Sequence, residues 1–217
     1  MWDWSYAAEI LPDLFRALRV TVVATLLGIA MAMVLGLVLA IGRRSRRRVA
    51  RAPAAAFVEF VRSTPLLVQL YFIFFVLPDL GLTLSPLTAG VIGLGLHYSA
   101  YTSEVYRAGI EGVPRGQWEA ATALNFSARR TWTSVVLPQA VPAVVPALGN
   151  YLIAMFKDTP LLSAITVVEL LNTAQELGSQ TFRYVEPITI VGVLFLLLSL
   201  VSALLIRRLE ARLAFNR

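Results

Sequence analysis

Apolar residues run along the chain in blocks too long for an ordinary soluble helix, and short clusters of charge and proline separate the blocks. Residues 20–41 carry no charge, and a helix of that length crosses about 30 Å of hydrocarbon at about 1.5 Å per residue. Gly28 and Gly36, with Ala24, Ala32 and Ala40, let a second helix approach it closely. Further blocks occupy 54–77, 87–110, 137–156 and 187–206, so the pattern predicts an all-α polytopic membrane protein with five transmembrane helices. Pro65 breaks or bends the second. Pro138, Pro142 and Pro146 fall near one face of the fourth, predicting a bend and unpaired carbonyls in its inner half. Ahead of the first span, residues 1–19 mix Trp2, Trp4 and Tyr6 with Asp3, Glu9 and Asp13, as an interfacial segment does. After Pro160 a new helix is predicted, with Ser163, Thr166, Glu169, Thr173 and Glu176 opposite Leu161, Leu162, Ile165, Val168 and Leu171. It faces a wet cavity or a partner, or rests on the membrane as an outer-loop helix.

Composition agrees with the pattern. Of 217 residues 58% are hydrophobic, where soluble domains hold about 45–50%, as expected of one membrane domain (20–208). The net charge of +6 is carried by arginine, Lys157 being the only lysine. Arg43, Arg44, Arg46, Arg47, Arg48 and Arg51 follow the first block directly, which makes that loop cytoplasmic and the N-terminus external. The same rule puts Arg115, Arg129, Arg130, Arg207, Arg208 and Arg212 inside, with residues 209–217 as a cytoplasmic tail. Topology alone accounts for the first arginine run; lipid or nucleic-acid binding is the sharper alternative, and arginines set beside apolar blocks argue against nucleic acid. There is no cysteine, hence no disulfide and no thiolate chemistry. The start lacks a basic n-region, so the first span is expected to stay in the mature chain.

Candidate chemistry lies inside the apolar blocks. The third carries His97, Tyr98, Tyr101, Glu104 and Arg107. An ionisable group there costs about 2.5–3.5 kcal/mol on insertion scales and normally faces a bundle interior or a wet cavity. Glu104 and Arg107 can pair at i, i+3, either as a structural brace or as part of a pathway; His97 is either a packing residue or a lining residue. Glu59 and Arg62 can pair in the same way near the start of the second span. Lys157, Asp158 and Thr159 precede Pro160 at the end of the fourth block, toward its outer half. No phosphate-binding Gly-rich loop, catalytic triad or metal-ligand spacing is present, and the single histidine makes the last two improbable. The chain is therefore not expected to be an enzyme, and if it moves a solute uphill the energy comes from a partner or an ion gradient. Intramembrane Glu104 and Asp158 could bind a proton or Na⁺, as in an ion-coupled secondary carrier.

The polar interruption at 115–125 is the most specific feature. Gly112, Pro114 and Gly116 end the preceding helix, and residues 119–124 favour a short one with Glu119 in its first turn. Asn125 suits a left-handed cap and Ser127 the start of the next helix. Ala120, Ala121 and Ala123 leave a low surface for another protein. The stretch resembles the Glu-Ala-Ala signature of bacterial ABC-importer permeases: Glu119, Ala120 and Ala121 match, Val135 replaces an isoleucine, Leu137 and Pro138 match, and Asn125 stands where the family has glycine. The segment from Arg62 to Leu70 is similar to the polar amino-acid (histidine/glutamine/arginine) branch, with Ser63 replacing a glycine. Residues 95–99, 104–110 and 150–157 resemble ectoine/hydroxyectoine uptake permeases.

The resemblance implies a type I ABC-importer permease fold in the bacterial cytoplasmic (inner) membrane. It implies two permease subunits (alike or similar), a cytoplasmic ATPase dimer holding ATP and Mg, and an extracytoplasmic solute-binding protein. No cofactor or metal sits in this subunit, and its surroundings are the lipid bilayer and not nucleic acid. Trp118, Glu119, Ala120, Ala121, Leu124 and Asn125 would belong to a coupling helix, at about 117–125, seated on the ATPase. His97, Tyr98, Tyr101, Glu104, Arg107, Lys157, Asp158 and Thr159 would border a path for a polar zwitterion, an amino acid or an ectoine.

Overall fold

In a computed structural model that describes residues 2–215, the chain is all-helical among the described residues. Helix α1 (Trp4–Arg44) runs unbroken for 41 residues, about 60 Å. The aromatic N-terminal segment and the first span are thus one rod, carried through Pro12. At its foot α2 (Arg48–Arg62) begins, and at Pro65 the chain turns by 108° into α3 (Leu66–Tyr71) and its continuation to Leu80. The expected second span is a broken one. Pro65 brings no N–H, and the Gln69 amide replaces it, Nε2 donating to Val61 O at 2.9 Å and Thr64 O at 3.1 Å.

Helix α4 (Pro86–Glu111) packs along α1. A methyl group at Gly36 would meet Thr102 Oγ1 at 2.0 Å and the backbone of Ser99 and Ser103 at 3.0 Å, so only glycine allows this approach. Thr102 Oγ1 donates to Ala32 O across the contact at 2.8 Å. The main apolar core gathers Ala24, Ile29 and Ala32 of α1 with Leu70, Leu94, Met155, Leu162 and Ile165.

After α5 (Arg115–Ala123), α6 (Ala128–Thr131) passes through a π-helical turn (Trp132–Val136) into α7 (Leu137–Asp158) and a 3₁₀ segment (Thr159–Ile165). The prolines do not break this element in its inner half. Helix continues through Pro142 and Pro146, and the irregularity is confined to the π turn just before Pro138, where Gln139 Nε2 donates to Val135 O at 2.7 Å. The amphipathic helix expected after Pro160 is also not formed as one piece. Thr166 adopts φ 64°, the chain opens, and α8 starts at Leu170 (Leu170–Thr181). Glu169 is fully buried and caps α8, accepting from Leu171 N at 3.0 Å and Asn172 N at 2.7 Å. Burial pushes its carboxyl up, against those same N–H groups. Helix α9 (Val185–Phe215) closes the bundle; residues 209–215 continue it, and 216–217 lie outside the described residues.

Among the described residues, three elements are long and apolar enough to cross a membrane: α1, 128–165 and α9, with the bent α2–α3 pair a possible fourth. Helix α4 is long enough but carries the polar residues described next. On the side where α1 begins, Asp3 N donates to Glu186 Oε1 at 3.0 Å and Arg183 bridges Asp3 and Glu186, tying α1 to α9.

Candidate functional site

Two polar regions stand out, and the element 128–165 joins them. At one end is α5. Pro114 sets its start, and Gly116 lies inside the helix instead of ending the one before. Glu119 falls in the second turn, not the first, because the helix begins at Arg115. Its end closes as expected: Asn125 has φ 53°, Asn125 N donates to Thr122 O and Phe126 N to Ala121 O, both at 2.9 Å. Ser127 Oγ accepts from Arg130 N at 3.3 Å to start α6.

One face of α5 is bound to the body and one is open. Trp118 meets Trp132 of the π turn edge-to-face, ring centres 5.5 Å apart at 85°. Val113, Val136 and Ala140 are buried beside that pair, and Ala121 is buried under the helix. Glu119, Ala120, Leu124 and Asn125 are exposed, Leu124 at 67%. The six residues of the expected coupling surface therefore divide: Trp118 and Ala121 anchor the helix, and the other four form its outward face.

The second region lies where α7 gives way to the 3₁₀ segment. Pro160 denies Phe156 O its usual donor, and the buried Thr159 hydroxyl donates to that carbonyl at 2.7 Å. Thr159 thus points into the element, apart from the other predicted path residues. Tyr98 Oη donates to Asp158 Oδ2 at 2.6 Å. Tyr98 is halfway along α4, so Asp158 meets that helix near its mid-length. The break in α7 therefore falls at the level of the polar belt. Lys157 is exposed, and none of the ion pairs among the described residues involves it.

Around Tyr98 stand His97, Tyr101 and Tyr151. His97 and Tyr101 are 5.2 Å apart, Tyr98 and Tyr151 5.9 Å, and Tyr101 and Tyr151 5.8 Å by ring centres. His97 Nδ1 donates to Gln69 Oε1 at 3.1 Å, since the Gln69 amide nitrogen is committed to the α2–α3 corner. Nε2 is left for another partner. One helical turn beyond Tyr101, Glu104 gathers three arginines. Arg107 lies at 2.7 Å, Arg62 at 3.5 Å, and Arg43 is also bonded to it. Arg107 also holds Glu111 at 2.5 Å.

Arg62 does not pair with Glu59 as its spacing allowed. The α2–α3 corner turns it toward α4, where it reaches Glu104 and lies 5.8 Å from the Tyr101 ring centre. Structure thus brings together His97, Tyr98, Tyr101, Glu104, Arg107 and Asp158, and adds Arg43, Arg62, Gln69 and Tyr151. Arg43 was hidden in a run that topology already explained. Gln69 and Tyr151 lay within stretches marked by resemblance, 62–70 and 150–157, but nothing in their spacing tied them to His97 or Tyr98. Among the described residues no group of three metal-ligating side chains converges.

Comparison with known proteins gives consistent matches. The family profile described as "Binding-protein-dependent transport system inner membrane component" matches residues 20–215. Probable amino-acid ABC transporter permease protein y4tG of Sinorhizobium fredii (strain NBRC 101917 / NGR234) is 47% identical, over 97% of this chain and 91% of its own. Glutamine transport system permease protein GlnP of Escherichia coli (strain K12) is 35% identical, over 97% of each chain. Among solved structures, a chain from a crystal structure of an amino acid ABC transporter with histidines superposes with TM-score 0.92 at 33% identity, covering 98% of this chain and 99% of that one.

Proposed function

We propose a function from one premise: the chain belongs to the family of binding-protein-dependent transport system inner membrane components. It is a permease subunit of an ABC importer for amino acids, set in the inner membrane. It is not itself an enzyme; ATP hydrolysis resides in a separate subunit, and a second permease subunit completes the membrane part. The ion-coupled carrier has no support from these relatives.

The finer reading concerns how force and cargo meet. Helix α5 is the surface on which the ATPase acts, through Glu119, Ala120, Leu124 and Asn125. The supporting observation is that one element, 128–165, carries the Trp118–Trp132 anchor at its start and the Asp158–Tyr98 contact at the break near its far end. A displacement of α5 is passed to the π turn and along α7 to the polar belt. Broken helices inside a membrane are tolerated where they line a cavity, and an alternating-access path past His97, Tyr98, Tyr101, Glu104, Arg107, Lys157 and Asp158 uses that break. In this reading the chain crosses the membrane five times, with its N-terminus outside and its C-terminus in the cytoplasm.

The cargo is a zwitterion that offers an ammonium or amidinium to Asp158, with tyrosine rings as walls. An ectoine is the narrower candidate, on the resemblance of residues 95–99, 104–110 and 150–157. An extracytoplasmic binding protein delivers it. The test is ATP-driven uptake by the whole complex in proteoliposomes, with amino acids and ectoine as competitors. Glu119→Arg is expected to abolish uptake while leaving insertion intact, and Asp158→Ala and Tyr101→Ala to weaken cargo dependence. Unchanged uptake by the first variant would reject the coupling role, and normal affinity and rate in both others would reject the path.

A further inference from the structure

An apolar groove of about 610 Å³ opens between the foot of α1, the end of α4 and the start of α7. Leu37, Ile41, Ile110, Leu137 and Trp132 line it, together with Arg44 and Ser45. Leu37, Ile41 and Leu137 are exposed, and the Arg44 guanidinium lies 6.0 Å from the Trp132 ring centre. Arg44 and Ser45 lead directly into the basic turn. Arg43 is taken up by Glu104, whereas Arg44, Arg46, Arg47, Arg48 and Arg51 are in none of the ion pairs among the described residues. Helix α2 begins there with no side-chain cap and no acidic residue in its first turn, although Arg48 and Arg51 already oppose its dipole. Val49, in the midst of these charges, is 87% exposed.

We propose that this groove is a binding site for one anionic phospholipid, with an acyl chain between Leu37, Ile41, Ile110 and Leu137 and the phosphate held by Arg44, Arg46 and Arg47. Each feature fits that occupant. An acyl chain needs a dry slot continuous with the bilayer, and a headgroup needs cations that no carboxylate of this chain has neutralised. A valine among them inserts at the headgroup–acyl boundary. A polybasic segment beside a membrane helix draws anionic lipid, each arginine contributing roughly fivefold. Free phosphate would leave the apolar slot unexplained. Trp132 forms one wall and also anchors Trp118, so an occupied groove braces the surface on which α5 sits. The site does not depend on the cargo or on the path.

The test uses the intact permease–ATPase complex in nanodiscs of phosphatidylcholine with a minority of phosphatidylglycerol. Phosphatidylglycerol carried through detergent extraction is counted by native mass spectrometry. Wild type is expected to keep it in preference to phosphatidylcholine. Arg44→Gln with Arg47→Gln is expected to weaken retention about 25-fold, and Leu37→Trp to abolish it by filling the slot with every charge in place. In wild type, phosphatidylglycerol with a photoreactive tail is expected to label Leu37 and Ile41, a result that does not rely on any variant folding. Equal retention in all three proteins would overturn the proposal. So would labelling outside the groove, full competition by glycerol phosphate, or a crosslink from Ile41→Cys to another protein subunit.

Discussion

Replacing Trp118 with alanine tests whether α5 is held firmly enough to transmit force. Trp118 is half-buried against Trp132, with Val113, Val136 and Ala140 beneath them. Truncating a fully buried tryptophan costs about 3–5 kcal/mol, so half burial gives about 2 kcal/mol, of which the edge-to-face geometry supplies about 0.5–1.5 kcal/mol. A loss of about 2 kcal/mol raises the detached population of α5 about 30-fold. Hydrogen exchange at the amides of Leu124, Asn125 and Phe126, which close the end of α5, should speed up by that factor. In proteoliposomes the cargo moved per ATP should fall while hydrolysis persists. Trp132→Ala should do the same, and the double variant should cost about 1 kcal/mol less than the sum of the two, because they lose one shared contact. Trp118→Phe should recover most of the effect. Unchanged exchange and unchanged cargo per ATP in Trp118→Ala would refute the idea that this ring pair carries the load.

Other perturbations follow from local geometry. Gly36→Leu should lower the thermal stability of the purified protein by about 1–3 kcal/mol, since the neighbouring backbone at 3.0 Å cannot yield; a change below about 0.5 kcal/mol would contradict the α1–α4 contact. Asn125→Gly should be neutral in the same assay, whereas Asn125→Val should cost about 1–2 kcal/mol for forcing a branched residue to φ 53°. The N-terminal clasp should respond to acid. The Ser5 hydroxyl, the Tyr6 backbone and Arg183 hold Asp3 at about 2, below its ordinary 3.8. Burial raises the Glu186 carboxyl, but Arg183 outweighs it and leaves it below 4.5. Both pKa values are depressed on folding, so the clasp's contribution is complete above the ordinary carboxylate range and is lost as pH falls through the folded values. Melting curves recorded against pH should show this loss, shifted to higher pH in Arg183→Ala; identical profiles would exclude the clasp.

What the residue pattern could reveal depended on the range of the interactions. Apolar blocks are local, and α1, α4 and α9 followed from them. So did the Asn125 and Ser127 caps, which depend on a few adjacent residues. Proline was legible as a disturbance but not as an outcome. Pro65 turned the chain by 108°, while Pro142 and Pro146 were absorbed within α7, with the irregular turn placed ahead of Pro138. Which of these occurs is set by rescuers such as Gln69 and Gln139, whose roles appear only once the chain is folded. The polar belt was half legible. Ionisable and aromatic residues within α4 announced themselves by their cost, but Arg43 and Arg62 reach Glu104 from other helices, and spacing on one helix cannot show that. Glu169 looked like one member of a wet stripe and is instead a buried cap, because the helix ends at Thr166 and a new one starts at Leu170.

The chain has no cysteine, so a single introduced thiol reports one place. Disulfide or maleimide crosslinking from Ala120→Cys and Leu124→Cys in the assembled complex should join α5 to the ATPase subunit, and ATP should change the yield. An impermeant thiol reagent applied to intact cells should leave both positions unmodified. Labelling from outside, together with no crosslink to the ATPase, would contradict the account.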